Sequence, residues 1–165
     1  MTDTDLPRLF TGYASVGSDP LALACTAALE GTEAGLVIHD LSPDRLRAAV
    51  VFAPEVTLAQ AAIMLPLCGL GFQSALGVLA PPVVAIHLGW DGVIYVNGGR
   101  CGQLTMVAST RDTAAVPDWL VIGLDLDLIP QDEDGGAAPD RTALYAEGCG
   151  DVTAPELLAA WLRHT

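Results

Sequence analysis

Trp90-Asp91-Gly92-Val93-Ile94-Tyr95-Val96-Asn97-Gly98-Gly99-Arg100-Cys101-Gly102-Gln103-Leu104 is the stretch on which the fold of this chain turns. Val93 to Val96 is a run of β-branched and aromatic residues. Asn97-Gly98-Gly99 is a strong tight-turn signal, and the chain is expected to return as a strand from Gly102 to Ser109. A loop marked by Arg111-Asp112 and Val116-Pro117-Asp118 leads to the most regular segment, Trp119 to Leu128. There Leu120, Ile122, Leu124, Leu126 and Leu128 recur at every second position, so they share one strand face. Asp125 and Asp127 fall on the opposite face.

Working outward, Val83 to Leu88 reads as a strand after Pro81-Pro82. Leu58 to Leu79 is long enough to favour helix, with Thr57 as its cap; Pro66 and the glycines at 69, 71 and 77 suggest a kink or two pieces. Gly35 to His39 and Leu46 to Ala53 read as a hairpin joined by Asp40-Leu41-Ser42-Pro43-Asp44. Before it, Ser18-Asp19-Pro20 starts a helix over Leu21 to Glu30 that Gly31 stops. Beyond the leucine-faced strand, Pro130 to Arg141 is rich in Asp, Gly and Pro and reads as a mobile loop. Asp151 or Thr153 then introduces a last helix whose apolar stripe is Leu157, Leu158, Trp161 and Leu162. The whole chain, 1–165, reads as one domain of the α+β class: a mixed, largely antiparallel sheet flanked by helices.

Composition bounds the chemistry. Apolar residues make up 52% of the 165 residues, ample for a core, and the net charge is −13. Seven arginines face twenty carboxylates and there is no lysine, so chemistry that needs a lysine ammonium is excluded. A field of that sign repels phosphate backbones and anionic lipid, which argues against nucleic acid and membrane as partners. The prolines and glycines between Leu58 and Leu88 break what would otherwise pass for a bilayer span. Met1 to Asp5 has neither the basic nor the apolar region of a secretion signal, so a cytoplasmic setting is expected. Cys25, Cys68, Cys101 and Cys149 contain no CxxC pair and read as buried thiols in a reducing compartment. His39, His87 and His164 show no ligand spacing with a cysteine, so no metal centre is expected.

The order of a tryptophan, a hairpin, a cation beside small residues, and an apolar strand ending in glycine and polar groups resembles the catalytic domain of the biotin/lipoate protein ligases. In that family a Lys-Trp-Pro-Asn-Asp run leads into a hairpin carrying a Lys, a small residue and Gly, followed by a Gly-Ile-Gly-Ile-Asn strand. The helix at 19–31, the hairpin at 35–53 and the final helix at 155–163 sit in the order that this fold, shared with class II synthetases, implies. Trp90 falls on the family's tryptophan, and Gly89 replaces the lysine before it. Asp91, Gly92 and Val93 replace Pro-Asn-Asp, and Arg100 falls on the lysine that contacts the acyl carboxylate and the adenylate phosphate. Gly123 matches the first glycine of the last strand, Asp125 replaces the second, and Asp127 replaces the asparagine. The family's Gly/Arg-rich lid loop belongs in the first hairpin, where this chain has only Asp40 to Arg45. Members of the family normally continue past the last helix, so a missing C-terminal part is consistent with the resemblance.

Forming an acyl-adenylate pushes a carboxylate against an α-phosphate, which requires cations for both and exclusion of water. The cations available to this sheet are Arg45, Arg47 and Arg100, and an arginine can clamp a carboxylate or phosphate bidentately. The resemblance implies Arg100 as the catalytic cation. It implies Trp90, Asp91, Gly102, Gln103, Gly123 and Asp127 as the ligand-binding set. Biotin, lipoate or another acyl acid, with ATP and Mg²⁺, would be the implied ligands; Asp125 and Asp127 could alternatively hold Mg²⁺ through oxygen. Lacking a lysine and a lid, the chain is expected to bind a small carboxylic acid or its adenylate rather than to run the full ligase reaction. Two other readings stand beside it. One is a non-catalytic association module of the same fold, for which a homodimer is the natural form. The other is an acyltransferase using Cys101, which would need a thiol pKa depressed by a nearby cation.

Overall fold

The computed structural model describes residues 5–131 and 140–165. Its elements run in chain order as β1 (Thr11–Ala14), α1 (Pro20–Leu29), β2 (Leu36–Leu41), β3 (Arg45–Phe52), α2 (Leu58–Ala61), α3 (Met64–Leu79), β4 (Ile86–Leu88), β5 (Val93–Val96), β6 (Gly99–Ala108), β7 (Leu120–Asp127) and α4 (Ala154–His164). The strands form one mixed sheet in the order β1-β2-β3-β7-β6-β5-β4. Only the β1–β2 pair is parallel; every other neighbour is antiparallel. This is the α+β architecture that the alternation and turn signals imply.

The expected helix starts are met by side chains. Asp19 accepts the backbone N–H of Leu21, with Pro20 in the first turn of α1. Thr153 and Glu156 form a reciprocal capping box on α4. Thr57 stands at the N-cap of α2 without a side-chain bond to the helix. The break in the long apolar segment falls at Ala62-Ile63, ahead of Pro66. Pro66 then lies in the first turn of α3, where a missing N–H costs nothing.

Leu58–Leu79 is long and apolar enough to cross a bilayer by length and composition. In the fold it is interrupted, and α3 buries Cys68, Gly69, Phe72, Ala75 and Leu76 against the sheet and α4. Trp161 of α4 is fully buried and donates its indole N–H to the Cys68 carbonyl at 3.0 Å.

Two apolar layers flank the sheet. On one face Leu46, Ala48 and Val50 of β3, Leu104 of β6 and Leu120, Ile122, Leu124 and Leu126 of β7 pack under α3 and α4. On the other, Ile38, Ala49, Val51 and Val121 pack under Ala24 and Ala28 of α1. With ten residues α1 is about 15 Å long and covers only one end of that second face. The uncovered end carries the polar start of β3 and the polar end of β7.

Three elements differ from expectation. Thr11–Ala14 forms a strand although all four residues are exposed, because its order comes from backbone bonds to β2 rather than from burial. The strand expected over Val83 to Leu88 starts only at Ile86, since the Val84 N–H bonds back to the Pro81 carbonyl and makes a turn. The return strand of the second hairpin begins at Gly99, immediately after the tight turn at Asn97 (φ 50°) and Gly98 (φ 85°). The expected mobile loop from Pro130 to Arg141 lies, for residues 132–139, outside the described residues.

Candidate functional site

The uncovered sheet face is built from β3, β6 and β7. Pairing sets Arg45 opposite Asp127 and Arg47 opposite Asp125. On the other side of β7, Gln103 stands opposite Asp125 and Thr105 opposite Gly123. The ion pairs do not all follow this register. Arg45 reaches diagonally to grip Asp125 with both ends, Nε to Oδ1 at 2.6 Å and Nη2 to Oδ2 at 2.7 Å, and lies 3.8 Å from Asp127. Arg47 turns away from Asp125 to its partner on β2, Asp40. Two of the three candidate arginines are thus neutralised by carboxylates of the protein itself.

Arg100 is held differently. Ile94 of β5 pairs with Gly102 and Tyr95 pairs with Arg100, which leaves Cys101 without a partner on β5. This is a β-bulge, and it reverses the alternation of side chains along β6. Cys101 therefore points into the core with Leu104, while Arg100 and Gln103 come to the same open face. Arg100 Nη2 donates to Gln103 Oε1 at 3.1 Å. Its backbone is fixed from the other side, the N–H bonding to the Asp140 carbonyl and the carbonyl accepting from Thr142. That contact brings Arg141 beside the site, a residue that the sequence reading passed over because it lies some forty positions away along the chain.

Two adjoining hollows result. The first, of about 200 Å³, is lined by Asp19, Pro20 and Leu21 at the start of α1 and by Arg47, Gln103, Thr105, Gly123 and Asp125. The second, of about 120 Å³, is lined by Arg45, Arg100, Gly102, Gln103, Asp127 and Arg141, among others. Gln103 and Asp125 border both. Gly123 is the floor of the first hollow: a Cβ there would lie 3.1 Å from Leu21 Cδ1.

Trp90 is apart from this site. It is 96% exposed and lines a third, apolar hollow of about 200 Å³ with Leu65, Pro66, Gly69 and Leu70 of α3. Trp90 and Arg100 therefore do not share a cavity. Asp91 joins the site through its backbone: its carbonyl accepts Gln103 Nε2 at 2.8 Å, while its carboxylate accepts the Val93 N–H.

Burial pushes the carboxyl of Asp127 above the ordinary aspartate range, with Arg45 opposing and Asp125 adding to the shift. Hydrogen bonding to Asp125 raises Arg45 further. Burial also pushes the Cys101 thiol up to about 12, reinforced by Asp127, so it is a buried thiol and not an activated nucleophile. Among the described residues no three His, Cys, Asp or Glu side chains come together as metal ligands. Asp125, an alternative Mg²⁺ ligand by sequence, has both oxygens on Arg45.

The turn Ser42 to Asp44 stands where the resemblance puts a lid loop. It is closed on itself by bonds between Ser42 and Arg45, and its Asp44 carbonyl accepts from Leu128 and Ile129.

The fold is that of known ligases. A biotin protein ligase-like protein of unknown function from Silicibacter sp. TM1040 superposes with a TM-score of 0.90 at 59% identity, over 96% of this chain and 69% of that one. A biotin protein ligase mutant from Aquifex aeolicus in complex with biotin superposes with a TM-score of 0.69 at 16% identity, over 94% and 68%. A putative lipoate protein ligase from T. acidophilum with bound lipoic acid gives 0.68 at 10% identity, over 96% and 83%. No curated protein matches the sequence. The model of the biotin/lipoate A/B protein ligase family matches residues 6–165, and the chain belongs to that family.

Proposed function

We propose that this chain binds a small carboxylic acid on the open sheet face, with Arg100 as the cation that meets the carboxylate. One observation carries this reading: of the three arginines on β3 and β6, Arg100 alone has, among the described residues, only a neutral side-chain partner, and it opens onto a hollow. The first hollow, walled by Leu21 and floored by Gly123, would take the body of the acid. Relatives of the same fold hold biotin or lipoic acid, which supports an acid of that kind. The four free thiols support a reducing, cytoplasmic setting.

The residues present do not fit a nucleotide polyphosphate with Mg²⁺. Asp125 is committed to Arg45 and so offers no oxygen to Mg²⁺, and with Arg45 engaged only Arg100 and Arg141 are left in the hollow to meet several phosphate charges beside Asp127. Binding without adenylate formation is the activity we infer. Calorimetry with biotin, lipoate, octanoate and ATP tests it. Heat is expected from at least one of the acids and none from ATP alone, with Arg100→Ala weakening the response. No heat and no thermal shift with any acid would overturn the reading.

A second reading, an association module, draws on α3. That helix has no charged residue and exposes Leu67, Leu70 and Val78. Light scattering across a concentration series separates the two: a concentration-independent monomer with a ligand site supports the first alone.

A further inference from the structure

We infer that Gln103 is the positioning residue of the site: it aims Arg100 into the hollow while leaving its charge free for a singly charged acid group. The inference rests on the binding reading above and adds to it the means by which the cation is kept available.

The side-chain amide of Gln103 has no freedom to turn over. Its Nε2 donates to two backbone carbonyls, those of Asp91 and Leu104, each at 2.8 Å. Both amide hydrogens are thereby used, and Oε1 is left as the sole acceptor, aimed at Arg100. The reversed amide would set its oxygen against two carbonyl oxygens and its NH₂ against a guanidinium. A guanidinium has five N–H donors, and Gln103 occupies one of them. Among the described residues no other side chain takes the remaining donors, which are left for a ligand. Because the anchor is neutral, the charge of Arg100 is not cancelled by its support, unlike that of Arg45 on Asp125 or Arg47 on Asp40. The bulge at Cys101 makes the arrangement possible, since residues three apart on a regular strand face opposite ways.

The test replaces the neutral anchor by a charged one. Gln103→Glu gives Arg100 a carboxylate partner and also gives up the two Nε2 bonds to the Asp91 and Leu104 carbonyls, a loss that Gln103→Met shares and therefore controls. The affinity of Gln103→Glu for octane-1-sulfonate, which stays anionic in acid, is expected to fall about tenfold or more at neutral pH. Pairing with Arg100 holds the introduced carboxyl below the ordinary glutamate range, so on lowering the pH to about 3 it takes up its proton and the affinity relative to the unaltered chain should recover. Taking that ratio removes the contribution of the other groups facing Arg100, namely Arg45 on β3, Asp125 and Asp127 on β7, and Arg141, which are common to both proteins. Gln103→Met provides the neutral control: its loss should be smaller at neutral pH and its ratio flat with pH. If Gln103 were merely structural, the two variants would weaken binding alike and neither ratio would depend on pH, which would overturn the inference. Should Gln103→Glu fail to fold, Gln103→Met decides: binding as tight as the parent's overturns it, and a loss that disappears when Arg100 is already Ala supports it, since a positioning residue acts only through the group it positions. If the unaltered chain binds neither octanoate nor octane-1-sulfonate, the binding reading itself fails. If it binds both and Gln103→Glu binds equally well, only the role of Gln103 fails.

Discussion

Arg100 and Gln103 stand three residues apart on one strand and yet share a face, with a 3.1 Å hydrogen bond between them. The unpaired Cys101 between them is what makes this so: it takes the core-facing position out of turn and sends Arg100 to the open side. A one-residue irregularity in β6 thus decides which face of the sheet carries the cation, and with it where an acid could bind.

The bulge depends on a glycine. A Cβ at Gly102 would lie 2.5 Å from the Asp125 carbonyl oxygen and 3.0 Å from Leu126 Cδ1, both on the neighbouring strand. Backbone cannot yield cheaply, so Gly102→Ala should lose about 1–3 kcal/mol in urea unfolding and should also weaken octanoate binding by shifting Arg100. An alanine variant as stable as the parent would contradict this close approach.

Asp127 sets a pH dependence. Its folded-state pKa is raised by burial, so the folded chain holds this proton more tightly than the unfolded one. The sign follows from linkage: the contribution to stability falls as pH rises from the ordinary aspartate value through the raised one, and above that window the partly buried charge is a standing penalty. Asp127→Asn should therefore stabilise the protein at neutral pH. The gain should vanish below the ordinary aspartate range. Thermal unfolding of both proteins across acid to neutral pH measures it.

The Arg45–Asp125 pair is well formed but wet, with side chains 44% and 42% exposed. Its contribution to stability should be small, about 0–1 kcal/mol by double-mutant cycle with Ala and Asn. Its effect on binding should be larger. Arg45→Ala leaves Asp125 and Asp127 without their cation inside the hollow, so octanoate affinity should fall while the melting temperature barely moves.

Thiol labelling checks the reading of the cysteines. Cys68 and Cys101 are both pushed up to about 12 by burial. In the folded protein at mildly alkaline pH they should resist a disulfide reagent, whereas Cys25, which is partly exposed, should react first. All four should react in denaturant. Rapid labelling of Cys101 in the native state would reopen the acyltransferase reading.

Local order was legible where one segment carries its own signal. The period-two leucines of β7, the Asn97-Gly98 turn, the Pro20 and Pro155 helix starts and the lysine-free composition needed no partner to be read. The resemblance singles out Gln103, Gly123 and Asp127, and the structure brings them to one face with Arg100. The resemblance sets Trp90 beside them, whereas in the structure it lies on the α3 side of the sheet. Nothing in 90–104 marks Cys101 as the residue that loses its partner; only the register between β5 and β6 reveals it.

From residue order alone follow the α+β class, the order of the elements from α1 onward, and the bar on lysine-dependent chemistry, because periodicity, turn preference and charge are properties of single segments. The tertiary structure alone decided the β1 pairing, the end of the sheet that α1 leaves uncovered, and the use of Arg45 and Arg47 on internal carboxylates. Those outcomes depend on contacts such as Arg45 with Asp125, 80 residues apart, whose geometry exists only once the strands lie side by side.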